Sequence, residues 1–219
     1  LKLGAVKLEM APVEKTGAIY SQNMGAHMAS KRTTILDFVG THSSGKTTII
    51  ERVVPILKQF GCTTEVISSV SRTDLNKVKI YSDVDEFSQS YISIVNWGNI
   101  ISRNDVDFVL CTDLCIRGFA YMLAAKQIEG KVLAAHKQFL DFFRSQEFQF
   151  IRNPIWFYLP IEFKMASDGV RPEDEEYRQE VDRQINYLFK SCKIPHVTLY
   201  GTVEERLKQA IQRIVCEIK

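Results

Sequence analysis

The sequence predicts an α/β fold: a three-layer domain built on a five-stranded parallel sheet and carrying a helical lid. Three observations predict it. Short apolar runs rich in β-branched and aromatic residues alternate along the chain with longer runs of helical apolar spacing, the order that a parallel sheet covered on both faces requires. The third short run, Val106-Asp107-Phe108-Val109-Leu110-Cys111-Thr112-Asp113, is almost continuously apolar, as a strand buried on both faces must be. The first short run leads into a glycine-rich loop, which in turn opens a helix.

The bulk numbers set the frame. With 219 residues, 45% hydrophobic and 25% charged, the chain suits one sizeable core. A net charge of +2 gives no strong field, so charge does not point to a duplex or a membrane surface, and no apolar run is long enough to span a bilayer. The five cysteines match no disulfide framework, and a reducing, cytoplasmic setting is the simplest expectation. Cys111 and Cys115 have no second Cys or His pair nearby, so they read as packed thiols rather than zinc ligands.

Residues 1–30 show no sustained periodicity and contain Gly25-Ala26-His27-Met28-Ala29-Ser30, which reads as an expression-vector scar. The expected division is therefore an arm over 1–30 and a domain over 31–219, with the native chain beginning near Lys31.

The first strand is predicted over Thr33 to Val39. It runs into Gly40-Thr41-His42-Ser43-Ser44-Gly45-Lys46-Thr47, which fits G-x-x-x-x-G-K-[ST], the phosphate-binding P-loop. A triphosphate is wrapped by backbone N–H groups, so Gly40 and Gly45 stand where a Cβ would block the approach, and His42, Ser43, Ser44 and Thr48 contribute the rest of the cradle. Lys46 reaches the β/γ-phosphates, and the Thr47 hydroxyl is a ligand for Mg²⁺. His42 occupies a variable position of the motif, where almost any side chain is tolerated. The helix that follows runs to Phe60 and stops at Gly61.

A second strand, Thr63 to Val70, ends near Arg72, and ligands gather at the carboxyl ends of parallel strands, which makes Arg72 a candidate for the acceptor. Asp83 to Arg103 reads as a helix, with Tyr91 and Trp97 more in keeping with a core than with a substrate stack. Asp113 closes the third strand. There it can hold Mg²⁺ through water, take a proton from an incoming hydroxyl, or cap the helix that begins at Leu114. Arg117 lies one turn further and can face the same cleft. Helices are expected over Leu114 to Glu129 and Lys131 to Phe148, and a proline-bounded fourth strand over Pro154 to Pro160.

Lys164 to Pro172 is a loop with two cations ahead of an acidic helix start at Glu173-Asp174-Glu175-Glu176. This order suits a lid, with Arg171, and Lys164 as a second candidate, swinging onto the phosphates during transfer. Arg178 and Arg183, further along that helix, rank lower, and Arg178 reads best as a solvated pair with the neighbouring acids. A fifth strand, His196 to Tyr200, leads to Gly201, where close backbone approach would frame the adenine ring, and to a last helix from Val203 to about Ile218.

Taken together, the Gly40 to Thr47 loop, Thr112-Asp113-Leu114, Asp168-Gly169-Val170-Arg171 with its acidic helix, and Leu199-Tyr200-Gly201-Thr202-Val203-Glu204-Glu205-Arg206 resemble the P-loop kinases that include the ribosylnicotinamide kinase domain of bacterial NAD-biosynthesis regulators. The resemblance covers about Thr34 to Ile218 and implies a P-loop NTPase fold of the kinase kind, with ATP and Mg²⁺ at the loop. It also implies an acceptor near the second and third strands, and a lid bearing Arg171. Where that family shows a Glu-Tyr-Ala-Arg type segment, this chain has Ser69-Val70-Ser71-Arg72: the arginine matches and the acid does not, which leaves Asp113 as the preferred acid over Asp37. The expected activity is transfer of the ATP γ-phosphate to a nucleoside, a nucleotide or a related small acceptor. The alternatives are a hydroxymethylated base in DNA as acceptor, or an ATPase that works as a nucleotide-dependent switch.

Overall fold

The computed structural model describes residues 33–68, 92, 95–100, 102–112, 114, 116–125, 141, 154–165 and 174–218. The chain divides into units Leu1–Lys31 and Arg32–Lys219, and all the described residues belong to the second.

Five strands form one sheet: β1 (Thr34–Val39), β2 (Thr64–Ile67), β3 (Phe108–Cys111), β4 (Ile155–Tyr158) and β5 (Val197–Thr198). Their order is β2-β3-β1-β4-β5, and every pairing is parallel. β1 is central, with Asp37 opposite Cys111 on one side and Val39 opposite Tyr158 on the other. Because the chain fills one side of β1 before crossing to the other, the carboxyl end of β1 is a switch point, where an open α/β sheet forms its ligand crevice.

Helices α1 (Lys46–Gln59), α2 (Ile116–Ala124), α3 (Glu175–Ser191) and α4 (Val203–Val215) cover the sheet. Strand alternation sorts the two cores. On one face Ile35, Val39, Val109 and Trp156 pack with Phe119 of α2 and with Val181, Ile185 and Phe189 of α3. On the other, Leu36, Phe38, Leu110 and Phe157 pack with Ile49, Val53 and Leu57 of α1 and with Ala210 and Ile214 of α4. The expected three layers and five-stranded parallel sheet are therefore present.

The strands are shorter than the apolar runs that predict them. At the start of β3, the Asp107 carboxylate accepts bonds from the Thr63 amide and hydroxyl, each at 2.8 Å, and the Thr63 carbonyl accepts from the Asp107 and Phe108 amides, each at 3.1 Å, so side chain and backbone together join these residues just ahead of the β2–β3 ladder. Cys111 is buried on β3, as expected for a packed thiol. Residues 95–100 are helical and Trp97 packs against the core, while the helix expected over Lys131 to Phe148 lies, apart from residue 141, outside the described residues. Among the described residues no helix is long and apolar enough to cross a membrane.

Candidate nucleotide site

The loop between β1 and α1 has the backbone that its glycines demand. Gly45 has φ 89°, and Ser43 also takes a positive φ of 53°. At Gly40 a Cβ would lie 2.6 Å from the Leu159 carbonyl oxygen and 2.6 Å from Ser44 Oγ, so the side chain is excluded by backbone as well as by the loop itself.

α1 begins differently from the two later helices. Asp174 caps α3 by accepting from the Tyr177 amide at 2.9 Å, and Thr202 caps α4 in a capping box with Glu205. Both of those first turns carry two acids. α1 has no side-chain bond from its N-cap, Gly45, and no acid in its first turn, so its own sequence brings no negative charge to the positive end of the helix dipole.

Lys46 is buried and folded back on its own loop, donating to the Thr41 carbonyl at 2.5 Å and to Ser44 Oγ at 3.2 Å. Thr47 and Thr48 are exposed. A cleft of about 820 Å³ opens beside the loop, a size usual for small-molecule sites. Ser43 to Thr48 line it on one side, Phe163, Lys164 and Val203 lie at another edge, and the ends of β2 and β3 contribute Ser68 and Thr112, with Arg117 from α2 beside them. The structure thus brings the predicted Lys46, Thr47 and Arg117 into one cleft. Arg72, Asp113 and Arg171 lie outside the described residues.

Three expectations are revised. His42 does not occupy a tolerant position: it is 3% exposed, with Nδ1 3.1 Å from the Tyr121 hydroxyl. Gly201 does not line the cleft, where Val203 stands instead. Its positive φ of 90° fits the turn, and the atom a Cβ there would strike is the Glu205 carboxylate of the capping box. Arg178 is not a solvated pair, because it is 1% exposed. It does bind Glu175 at 3.0 Å, but its Nε also donates to the His42 carbonyl at 3.1 Å and its Nη2 to the Ser43 carbonyl at 3.3 Å and to the Phe163 carbonyl at 3.0 Å.

Arg206 repeats this arrangement from α4. Fully buried, it donates to the Ser44 carbonyl at 2.8 Å, to the Pro160 carbonyl at 3.1 Å and to the Glu162 carboxylate at 2.5 Å, and it lies over the Phe163 ring. Periodicity held a signal for both arginines. Arg178 shares a helical stripe with Val181 and Ile185, and Arg206 shares one with Ala210 and Ile214, so each projects from an apolar face towards the sheet.

Below the loop Asp37, fully buried in β1, accepts from the Leu114 amide at 3.3 Å and from the Cys111 thiol at 3.5 Å. It ties down the chain next to residue 113, a structural job rather than that of an acid reaching the acceptor. On α3, burial pushes the Asp182 carboxyl above its ordinary 3.8, with the Tyr158 hydroxyl, the Ile161 backbone, Arg178 and Lys46 drawing it partly back. Burial and the Asp182 carboxylate in turn push the Tyr158 phenol upward, so it stays protonated as a donor.

Fold and loop together define a P-loop nucleotide-binding protein of the α/β class. An AAA domain family model matches residues 37–206, and the chain belongs to that family. A search of curated proteins found no match. Among solved structures, a thymidylate kinase from Ehrlichia chaffeensis is similar at 13% identity with TM-score 0.56, covering 84% of this chain and 99% of that one. A deoxyadenosine kinase from M. mycoides, with dCMP and dCDP bound, is similar at 14% identity with TM-score 0.54, covering 84% and 100%. At such identities the likeness is one of fold, the α/β fold that these two kinases have.

Proposed function

We propose that the protein is an ATP-dependent phosphotransferase acting on a nucleoside, a nucleotide or a related small acceptor. One observation carries the reading: the phosphate loop and a second set of polar groups, Ser68, Thr112 and Arg117, line the same cleft. A nucleotide switch needs only the first set. A phosphotransferase needs both, because transfer depends on holding donor and acceptor in line.

In this reading the loop amides and Lys46 bind the β- and γ-phosphates. Lys46 must leave Thr41 to do so, which exchanges a bond within the loop for one to the ligand. Thr47, exposed in the cleft, fits as a hydroxyl ligand for Mg²⁺. Among the described residues no group of three or more His, Cys, Asp or Glu is gathered for a metal, in keeping with an ion that takes most of its oxygens from phosphate and water. Bound Mg²⁺ would supply charge neutralisation at the transferring group. Asp113 orients the acceptor and takes its proton as the acceptor oxygen bonds to the γ-phosphorus and the bond to the leaving ADP oxygen breaks. Arg117 and Arg72 hold the acceptor, and Arg171 neutralises charge from the lid. Adenine is assigned to the edge formed by Phe163 and Val203. The domain is taken as 31–219, with 1–30 as an arm outside it, and the setting as cytoplasmic.

The test is label transfer from γ-labelled ATP with Mg²⁺ to a panel of nucleosides, deoxynucleotides, ribosylnicotinamide and hydroxymethylated DNA. Labelled product with one small acceptor class, abolished by Lys46→Met, is expected. Product only with DNA would move the acceptor to a polymer, and hydrolysis without transfer to any acceptor would overturn the reading in favour of an ATPase switch.

A further inference from the structure

Five successive carbonyls of the loop are taken up. Thr41 accepts from Lys46 Nζ, His42 from Arg178 Nε, Ser43 from Arg178 Nη2, Ser44 from Arg206 Nη1, and Gly45 from the Ile49 amide. In a trans peptide the carbonyl of one residue and the N–H of the next point in opposite directions. Fixing the carbonyls of His42, Ser43 and Ser44 towards the arginines therefore turns the N–H groups of Ser43, Ser44 and Gly45 the other way. Ser43, Ser44 and Gly45 all line the cleft.

We infer that Arg178 and Arg206 are positioning residues that set the phosphate-binding geometry of the loop from behind. Neither needs to touch the nucleotide. Each guanidinium has a carboxylate partner, Glu175 or Glu162, which offsets its charge. Their effect on the ligand therefore runs through the direction of the amides rather than through the field of two bare cations. Only a planar fork of donors can serve these acceptors at once: Arg206 spans Ser44, Pro160 and Glu162, and Arg178 spans His42, Ser43, Phe163 and Glu175. Both also grip the short segment after β4, through the Pro160 and Phe163 carbonyls, so the loop is referenced to the sheet rather than left to its own turns. Lysine at either position keeps the charge and loses the fork.

The inference rests on the phosphate-binding half of the proposed function and makes a residue-specific prediction. The peptide units divide between the arginines: the Ser43 and Ser44 amides answer to Arg178, and the Gly45 amide answers to Arg206. In amide NMR spectra of the full chain, titration with inorganic tripolyphosphate and with ATP-Mg²⁺ should move all three resonances. In Arg206→Lys the Gly45 response should shrink while those of Ser43 and Ser44 persist, and Arg178→Lys should give the converse, each with an affinity loss of about tenfold or more. Glu162→Gln, which leaves Arg206 in place but loosens its hold, is the milder variant should Arg206→Lys fail to fold, and it should reduce the Gly45 response selectively; Glu175→Gln serves in the same way for Arg178 and should reduce the Ser43 and Ser44 responses.

Equal weakening of all three amides, or responses and affinity unchanged from wild type, would overturn the inference. Failure of the wild type to respond to either ligand would instead overturn the phosphate site itself, so the two failures are distinguishable.

Discussion

Under the proposed function the cleft has a donor half and an acceptor half, and the two are built by different means. The donor half is mostly backbone, to which the Lys46 and Thr47 side chains are added: a loop whose carbonyls are held by buried side chains and whose first helical turn lacks both cap and acid. The acceptor half is made of side chains delivered from separate elements, Ser68 after β2, Thr112 after β3 and Arg117 on α2. A backbone site recognises what every nucleoside triphosphate shares. A side-chain site recognises what distinguishes one acceptor from another, and it can be rewritten without disturbing the sheet.

Substitutions can break this comparison one half at a time. The largest effect is expected at Lys46, whose charge the donor half cannot replace: Lys46→Met should lower phosphoryl transfer about a thousandfold with the fold intact, measured as initial rates and thermal unfolding side by side. Arg206→Met comes next. It removes a fully buried guanidinium, but its partner Glu162 retains some contact with water, so the loss falls mainly on the Ser44 and Pro160 carbonyls. Denaturant unfolding should show a loss of about 3 kcal/mol.

Gly40→Ala should cost about 1–3 kcal/mol and weaken ATP binding, because the new methyl meets the Leu159 carbonyl at 2.6 Å and that carbonyl belongs to the chain leaving β4. The smallest effect is expected on α3. Asp182 binds its proton more tightly folded than unfolded, so between pH 3.8 and its raised value the native state holds the extra proton and stability falls as pH rises. Asp182→Asn should remove that slope, giving a stability advantage over wild type that grows on going from acid to neutral pH in paired unfolding curves. An advantage that grows towards acid would contradict the assignment.

The donor half was the more legible in sequence for a physical reason. A glycine that must take a positive φ and a lysine at fixed spacing are local demands, and the strand before them and the helix after them are short-range patterns. The five strands were legible too, although their ends were not, since a side chain can take an amide at a strand end, as the Asp107 carboxylate takes that of Thr63. Arg178 was misjudged, and Arg206 given no role of its own, because charge suggests water, whereas their burial depends on carbonyls more than 130 and 160 residues away in sequence. Helical periodicity carried that information. His42 was likewise underrated, since its neighbour Tyr121 comes from α2 on the far side of β3 in the chain. Nothing local in the loop announces that contact.

The central claim is that one cleft holds two independent half-sites, and Arg117→Ala tests it most directly. Arg117, assigned to the acceptor, lines the cleft from α2, an element separate from the loop and from the helices that carry its arginine braces. With the acceptor found by label transfer, steady-state kinetics varying each substrate in turn should show KM for that acceptor rising about tenfold or more, as expected for a lost charge-assisted hydrogen bond, while KM for ATP stays as in wild type. An equal rise in both, or a rise for ATP alone, would contradict the division of the cleft into a donor half built on the loop and an acceptor half built on side chains from other elements.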